Sequence, residues 1–151
     1  MPRGRPKKLN DHEVLAAATR AMARRGPAEL TLADIAQEAG LTAGALVQRF
    51  GSKRALLLRL MADYSGSSAA MFAALKADAA SPLEAIRSYG RCMAQLATSP
   101  EALARSIAWL HQDLVDPEFR VHLLAQARGV RKELARLVTE AVEAGELPAH
   151  V

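Results

Sequence analysis

Apolar residues recur along the chain at three- and four-residue steps and nowhere alternate with polar ones, a pattern that predicts helices and no strands. Asn10 and Glu13 stand at capping-box spacing. Val14, Leu15, Ala18, Ala21 and Met22 then share one face until Gly26-Pro27, which predicts a first helix over about 11–25. Thr31 and Asp34 repeat the cap, and Leu32, Ile35, Ala36 and Ala39 supply the stripe of a two-turn helix stopped by Gly40. Thr42 caps a third short helix, 43–49, in which Leu46 and Phe50 face inward together. Ser52 opens a fourth with Leu56, Leu57, Leu60, Met61 and Tyr64. It is expected to continue as one helix, bent at Ser65-Gly66-Ser67-Ser68, through Met71, Phe72 and Leu75 to about Asp78.

Three later starts share one grammar, a capping side chain followed by proline at the first helical position: Ser81-Pro82, Ser99-Pro100 and Asp116-Pro117. They open helices of about 82–97, 100–114 and 117–144. The last carries Leu123, Leu124, Ala127, Val130, Leu134, Leu137, Val138 and Ala141 before Gly145. The expected fold is all-α.

Charge divides the chain unevenly. Residues 1–60 hold 11 Lys and Arg against 5 Asp and Glu, whereas residues 61–151 hold 9 against 11. A basic end favours a polyanion, because each cation gains direct attraction and counterion release. The longest apolar run, Ala69 to Leu75, is far short of the roughly 20 residues a membrane helix needs, so no membrane partner is expected. The lone Cys92 has no cysteine to pair with, and the N-terminus lacks the apolar run of a secretory signal, which leads to an expectation of a reducing cytoplasm.

Two short helices joined by a tight turn at Gly40, from Thr31 to Phe50, read as a helix-turn-helix. Ile35, Ala36, Leu41 and Leu46 can pack the pair, leaving Thr42, Ala43, Gly44, Val47, Gln48 and Arg49 on or near the outer face. That face suits a major groove: glutamine can pair with both edge atoms of adenine, arginine with guanine or a phosphate, and Ala or Val with a thymine methyl. Gln48 and Arg49 are the base-reading candidates.

The run Thr31 to Lys53, with Asp34-Ile35-Ala36, Ala39-Gly40, Gly44, Leu46, Phe50 and Ser52-Lys53, resembles the DNA-binding signature of the tetracycline-repressor (TetR) family over about residues 10–60. The resemblance implies that Thr31 and Lys53 hold phosphates, that the third helix lies in the major groove, and that a helical ligand-binding and dimerising region follows. Three positions depart from the family pattern: Val47 stands for its usual tyrosine, Arg49 for its histidine and Ala45 for its threonine. A phosphate-binding hydroxyl is lost at Val47. Arg49 either replaces that anchor or reads a base, and altered site preference is expected. The family usually carries a further helix beyond this chain's last one, so the C-terminal region reads as short.

The resulting organisation is a basic arm (1–9), a DNA-binding domain (10–52) and a helical regulatory domain (53–151). In the arm, Pro2-Arg3-Gly4-Arg5-Pro6-Lys7 looks like an AT-hook core, in which glycine between Arg3 and Arg5 lets extended backbone sink into a narrow A·T minor groove. The alternative is a basic tail that adds nonspecific affinity.

In the last region Tyr64, Met71, Phe72, Tyr89, Met93, Trp109, His111 and Gln112 are candidates to line a ligand cavity, although Met and aromatics at helical spacing more often make plain core. His111 has no second His or Cys at metal-ligand spacing, and no phosphate loop or nucleophile motif is present, so neither cofactor, metal nor catalysis is expected. The function expected is a DNA-binding transcriptional regulator acting as a homodimer on double-stranded DNA, a repressor released by a small-molecule effector. The competing class is an architectural A·T-preferring DNA-binding protein without an effector.

Overall fold

The computed structural model describes residues 9–148, and among these every regular element is helical. The elements are α1 (Asp11–Met22), α2 (Leu32–Ala39), α3 (Ala43–Phe50), α4 (Lys53–Gly66), α5 (Ser68–Ala77), α6 (Pro82–Ala94), α7 (Pro100–Val115) and α8 (Pro117–Glu143), with a 3-10 turn at Gln95–Ala97 after α6. The protein is all-α. It divides between Leu57 and Leu58 into two compact units, and α4 begins in the first and continues into the second. The expected arm, with Arg3 and Arg5, falls on residues outside those described apart from Leu9.

Helix starts follow their caps. Asn10 accepts from the Glu13 N–H at 2.9 Å while Glu13 reaches back to the Asn10 N–H at 2.8 Å. Ser81, Ser99 and Asp116 accept from first-turn amides before their prolines, which satisfies donors that no intrahelical carbonyl can reach. Helix ends are equally local. The Glu146 N–H bonds the Ala141 carbonyl at 2.8 Å and the Gly145 N–H bonds Val142 at 3.0 Å, a Schellman closure that requires Gly145 at φ +72°.

Three boundaries differ from the sequence expectation, and at one of them the helix expected over 82–97 ends at Ala94, its last three residues forming the 3-10 turn. α1 stops at Met22 because the amides of Arg24 and Arg25 both turn onto the Ala21 carbonyl. The expected continuous helix 53–78 is instead interrupted at Ser67. There the Ser67 N–H closes on Tyr64 only three residues back, and the Ser65 and Ser67 hydroxyls donate to the Ala62 and Tyr64 carbonyls. Serine side chains competing for backbone partners, beside a glycine, account for the break.

In the first unit α2 packs on α1 and α3 on α2. Val14, Leu15, Ala17, Ala18, Leu30, Ile35, Ala36, Leu46, Leu56 and Leu57 are buried. In the second unit α8 packs against α5, α6 and α7. Phe72, Ala85 and Leu137 form its fully buried centre, ringed by Met71, Leu75, Ile86, Tyr89, Val130 and Leu134. Lys76 ties α5 to α8 through Glu140 at 2.6 Å, and Arg136 bridges Glu140 and the buried Glu133.

α5 and α8 approach so closely at Gly129 that a Cβ there would lie 2.8 Å from Ser68 Oγ and 3.0 Å from Ser68 Cβ. Ser68 is itself buried, and its hydroxyl has no hydrogen-bond partner among the described residues. Alanine normally gains about 1 kcal/mol over glycine inside a helix. Here Gly129→Ala is expected to destabilise instead, by roughly 1–3 kcal/mol of overpacking in a denaturant titration.

Asp113 is also buried in this unit. Burial, and secondarily the charge of Asp116, push its carboxyl up to about 6. The folded chain then holds this proton more tightly than the open chain, so the group weakens the fold above about pH 6. That penalty fades as the pH falls through the same value toward the ordinary carboxylate range. Asp113→Asn is expected to raise Tm at pH 7.5 by roughly 2–4 °C, the equivalent of about 1 kcal/mol, and to leave it unchanged near pH 4.

Candidate nucleic-acid interface

α2 and α3 are built as a hairpin with one buried and one open side. Gly40, at φ +65°, lets the Leu41 N–H return to the Ala36 carbonyl at 2.8 Å, so the chain leaves α2 in a single tight turn. Thr42 then accepts from the Ala45 N–H at 3.1 Å and starts α3. Leu46 is fully buried behind the helix, while Thr42, Gly44, Val47 and Gln48 are exposed and Ala43 is half-buried.

The chemistry available on that open side is specific. Gln48 makes no side-chain hydrogen bond among the described residues, which leaves its amide both a donor and an acceptor. Thr42 accepts its capping bond and retains a hydroxyl hydrogen to donate. Val47, 48% exposed, offers an apolar surface of the kind that meets a thymine methyl.

The other expected contact residues are more engaged. Thr31 caps α2 reciprocally: its N–H and hydroxyl donate to Asp34 Oδ2 at 2.9 and 2.6 Å, and its Oγ1 accepts from the Asp34 N–H at 3.2 Å. Those bonds from Thr31, with the nearby Arg25, hold the Asp34 carboxyl below the usual range. Lys53 donates to the Pro27 and Leu30 carbonyls at 3.1 and 2.8 Å, which pins the segment entering α2 and leaves one ammonium hydrogen. Arg20 and Arg24 pair with Glu38, and Arg25 with Asp34, so much of α1's positive charge is answered inside the headpiece.

Arg49 does not stand free beside Gln48. Its guanidinium grips the Asp11 carboxylate, with Nε at 2.6 Å, and Nη1 donates to the Leu9 carbonyl at 2.7 Å. Sequence reasoning missed Asp11, because the two residues lie far apart in the chain and no local spacing links them.

Residues 14–60 match the family model for bacterial regulatory proteins of the tetR family. The headpiece is thus similar to the DNA-binding region of the TetR family. None of the curated proteins matches the chain. Among solved structures, the SCO7518 regulator of Streptomyces coelicolor A3(2) is 23% identical at a TM-score of 0.57, over 83% of this chain and 73% of its own. The fatty acid degradation regulator FadR of Bacillus halodurans is 20% identical at 0.59, over 97% and 75%. A TetR-family regulator of Rhodococcus sp. is 24% identical at 0.56, over 93% and 76%. At these identities the likeness is one of fold.

The expected ligand residues are spread over α4, α5, α6 and α7. Phe72 is fully buried, and its ring lies 4.9 Å from that of Tyr89, inside the core of the second unit. Trp109 is buried on α7, whereas Met93 and His111 are exposed and Gln112 is half-buried. Tyr64 and Met71 are half-buried on α4 and α5. Tyr89 alone among them borders a mostly apolar groove of about 620 Å³, whose wall is otherwise α8: Leu123, Ala127, Val130, Leu134 and Val138, with Gln126 and Arg131 as polar members. Several of these α8 residues belong to the apolar stripe legible in the sequence; what the sequence lacked was the partner across the groove. No helix among the described residues is long and apolar enough to cross a membrane.

Proposed function

We propose that this chain is a TetR-family regulator, a cytoplasmic repressor that binds a twofold-symmetric duplex site as a homodimer and is released when the C-terminal unit takes up a small molecule. The observation that carries the DNA-reading half is the free side of α3, where Gln48, Thr42, Gly44 and Val47 are exposed while Leu46 anchors the helix from behind. Gln48 reads adenine through its amide, and Thr42 donates to a phosphate. Thr31 and Lys53 contribute further phosphate contacts through the hydrogens they can spare or redirect.

Dimerisation is supported by apolar side chains left open on α7 and α8. Leu103, Ile107, Leu110 and Leu114 form one stripe at three- and four-residue steps, each at least 45% exposed, and Val121 and Leu124 extend the exposed apolar area. Effector binding is supported by the α8 groove beside Tyr89, apolar with few polar members, which suits a small apolar guest oriented by Gln126 or Arg131. A ligand held there releases DNA only in so far as it prefers the non-binding arrangement of the dimer.

The test is in vitro selection from a random duplex library at near-physiological salt. A palindromic motif is expected. Gln48→Ala should relax preference at one base position per half-site and weaken binding about tenfold to a hundredfold, the equivalent of roughly 1–3 kcal/mol. Enrichment without symmetry, or a motif unchanged by Gln48→Ala, would remove this reading.

A further inference from the structure

Arg49 stands on the last turn of α3, next to Gln48, yet its guanidinium is turned toward the start of α1. Three of its N–H groups are spent there, two on the Asp11 carboxylate, with Nε at 2.6 Å, and one on the Leu9 carbonyl at 2.7 Å. The centroid of the Phe50 ring lies 5.6 Å from the guanidinium carbon. The Arg49 side chain is only 32% exposed, whereas Arg20, Arg24 and Arg25, which also form ion pairs, are each more than half exposed. Asp11 is the first residue of α1, where the helix dipole favours a carboxylate, and its bonds to the planar fork orient the guanidinium.

The place of these bonds on the helix decides what they do. α3 is fixed at its N-terminal end by the Gly40 turn and along its length by the buried Leu46. Its far end is the part that a swing about the turn moves most. Eight residues at 1.5 Å each put that end about 12 Å away, so a swing of about 5° carries it about 1 Å. Heavy-atom distances in good hydrogen bonds span only about 0.5 Å. Gln48 lies in that far half, and a paired reading of adenine by its amide needs both bonds at once.

We infer that Arg49 is a positioning residue for the recognition helix and not a reader of bases: by fastening the end of α3 to Asp11 and Leu9 at the start of α1, it holds Gln48 in reading register. To touch a base or a phosphate, Arg49 would first have to give up three charge-assisted bonds, whereas as a fastener it keeps them.

The inference rests on the DNA-binding reading above, and the experiment separates the two. The palindromic duplex selected by the full chain, and the same duplex altered at the Gln48-dependent base, are titrated over a range of salt. The proteins are the full chain, Arg49→Ala, Asp11→Asn and the variant carrying both substitutions. Asp11→Asn is the decisive arm. It removes a negative charge from the DNA-binding unit, which on charge alone strengthens binding, yet as the loss of a fastener it should weaken binding about fivefold to tenfold. Arg49→Ala should weaken binding by a similar factor and shrink the discrimination at the Gln48-dependent base. The double variant should bind no more weakly than either single one. The slope of log affinity against log salt should stay near that of the full chain in Arg49→Ala, not fall by the roughly 0.9 that loss of one phosphate contact removes. All variants should keep the thermal midpoint within a few degrees, because a partly exposed ion pair holds little of a fold.

Asp11→Asn that binds as tightly as the full chain, or more tightly, overturns the inference. A slope lowered by about 0.9 in Arg49→Ala would make Arg49 a phosphate contact instead, and a preference lost at a base other than the Gln48-dependent one would make it a base reader. A thermal midpoint that falls in step with affinity would make the pair merely a fold contact. A full chain that enriches no sequence brings down the DNA-binding reading itself.

Discussion

Leu46→Ala is expected to abolish DNA binding without touching any group that faces DNA. Leu46 is fully buried behind α3, and removing its side chain should cost about 2–5 kcal/mol, because a packed site refills only partly. A unit of roughly fifty residues has a net stability of only a few kcal/mol. The loss is therefore comparable to everything that holds the headpiece folded. Amide exchange should show α1 to α3 unprotected while α5 to α8 remain protected, and operator binding should be lost in parallel. Binding retained within tenfold would mean that α3 is held in place by something other than Leu46.

The second large effect is expected at Phe72. Phe72→Ala removes the largest side chain in the fully buried centre of the second unit, together with its ring contact to Tyr89, and should cost about 3–5 kcal/mol. For a unit of this size the thermal midpoint should fall by more than about 10 °C. The measurement also decides between two roles for the residue. A side chain lining a ligand cavity can be truncated at little cost to the fold, because the space is already empty, whereas a core side chain cannot. A midpoint lowered by less than about 2 °C would return Phe72 to the ligand site.

Much of the fold was legible because its instructions are short-range. Asn10 with Glu13, Thr31 with Asp34, and the three capped prolines each settle a helix start within four residues, and all five form as the spacing predicts. The helix-turn-helix is legible for the same reason, since Gly40 and the burial of Ile35, Ala36 and Leu46 are encoded within one segment. The Gly66-Ser67 region was harder. A glycine among serines permits either a bend or a break, and the outcome depends on whether each hydroxyl takes a backbone carbonyl.

Contacts made by distant residues left no trace in the spacing. Nothing around Arg49 announces Asp11 or Leu9, and nothing around Phe72 tells a core aromatic from a cavity wall, because the same residue types serve both. The groove on α8 needed Tyr89 of α6 to give it a second side.

The meeting of α5 and α8 at Ser68 and Gly129 carries a consequence for how this lineage can vary. With a Cβ at 129 only 2.8 Å from the Ser68 hydroxyl, the two positions compete for one volume, and neither can grow unless the other shrinks. Homologous chains that keep this crossing should therefore show positions 68 and 129 drifting as a linked pair, glycine moving to one helix when a larger residue appears on the other. A chain carrying Ser68→Gly with Gly129→Ala should tolerate the substitution better than one carrying Gly129→Ala alone, so that the order in which the two changes arise decides whether either survives.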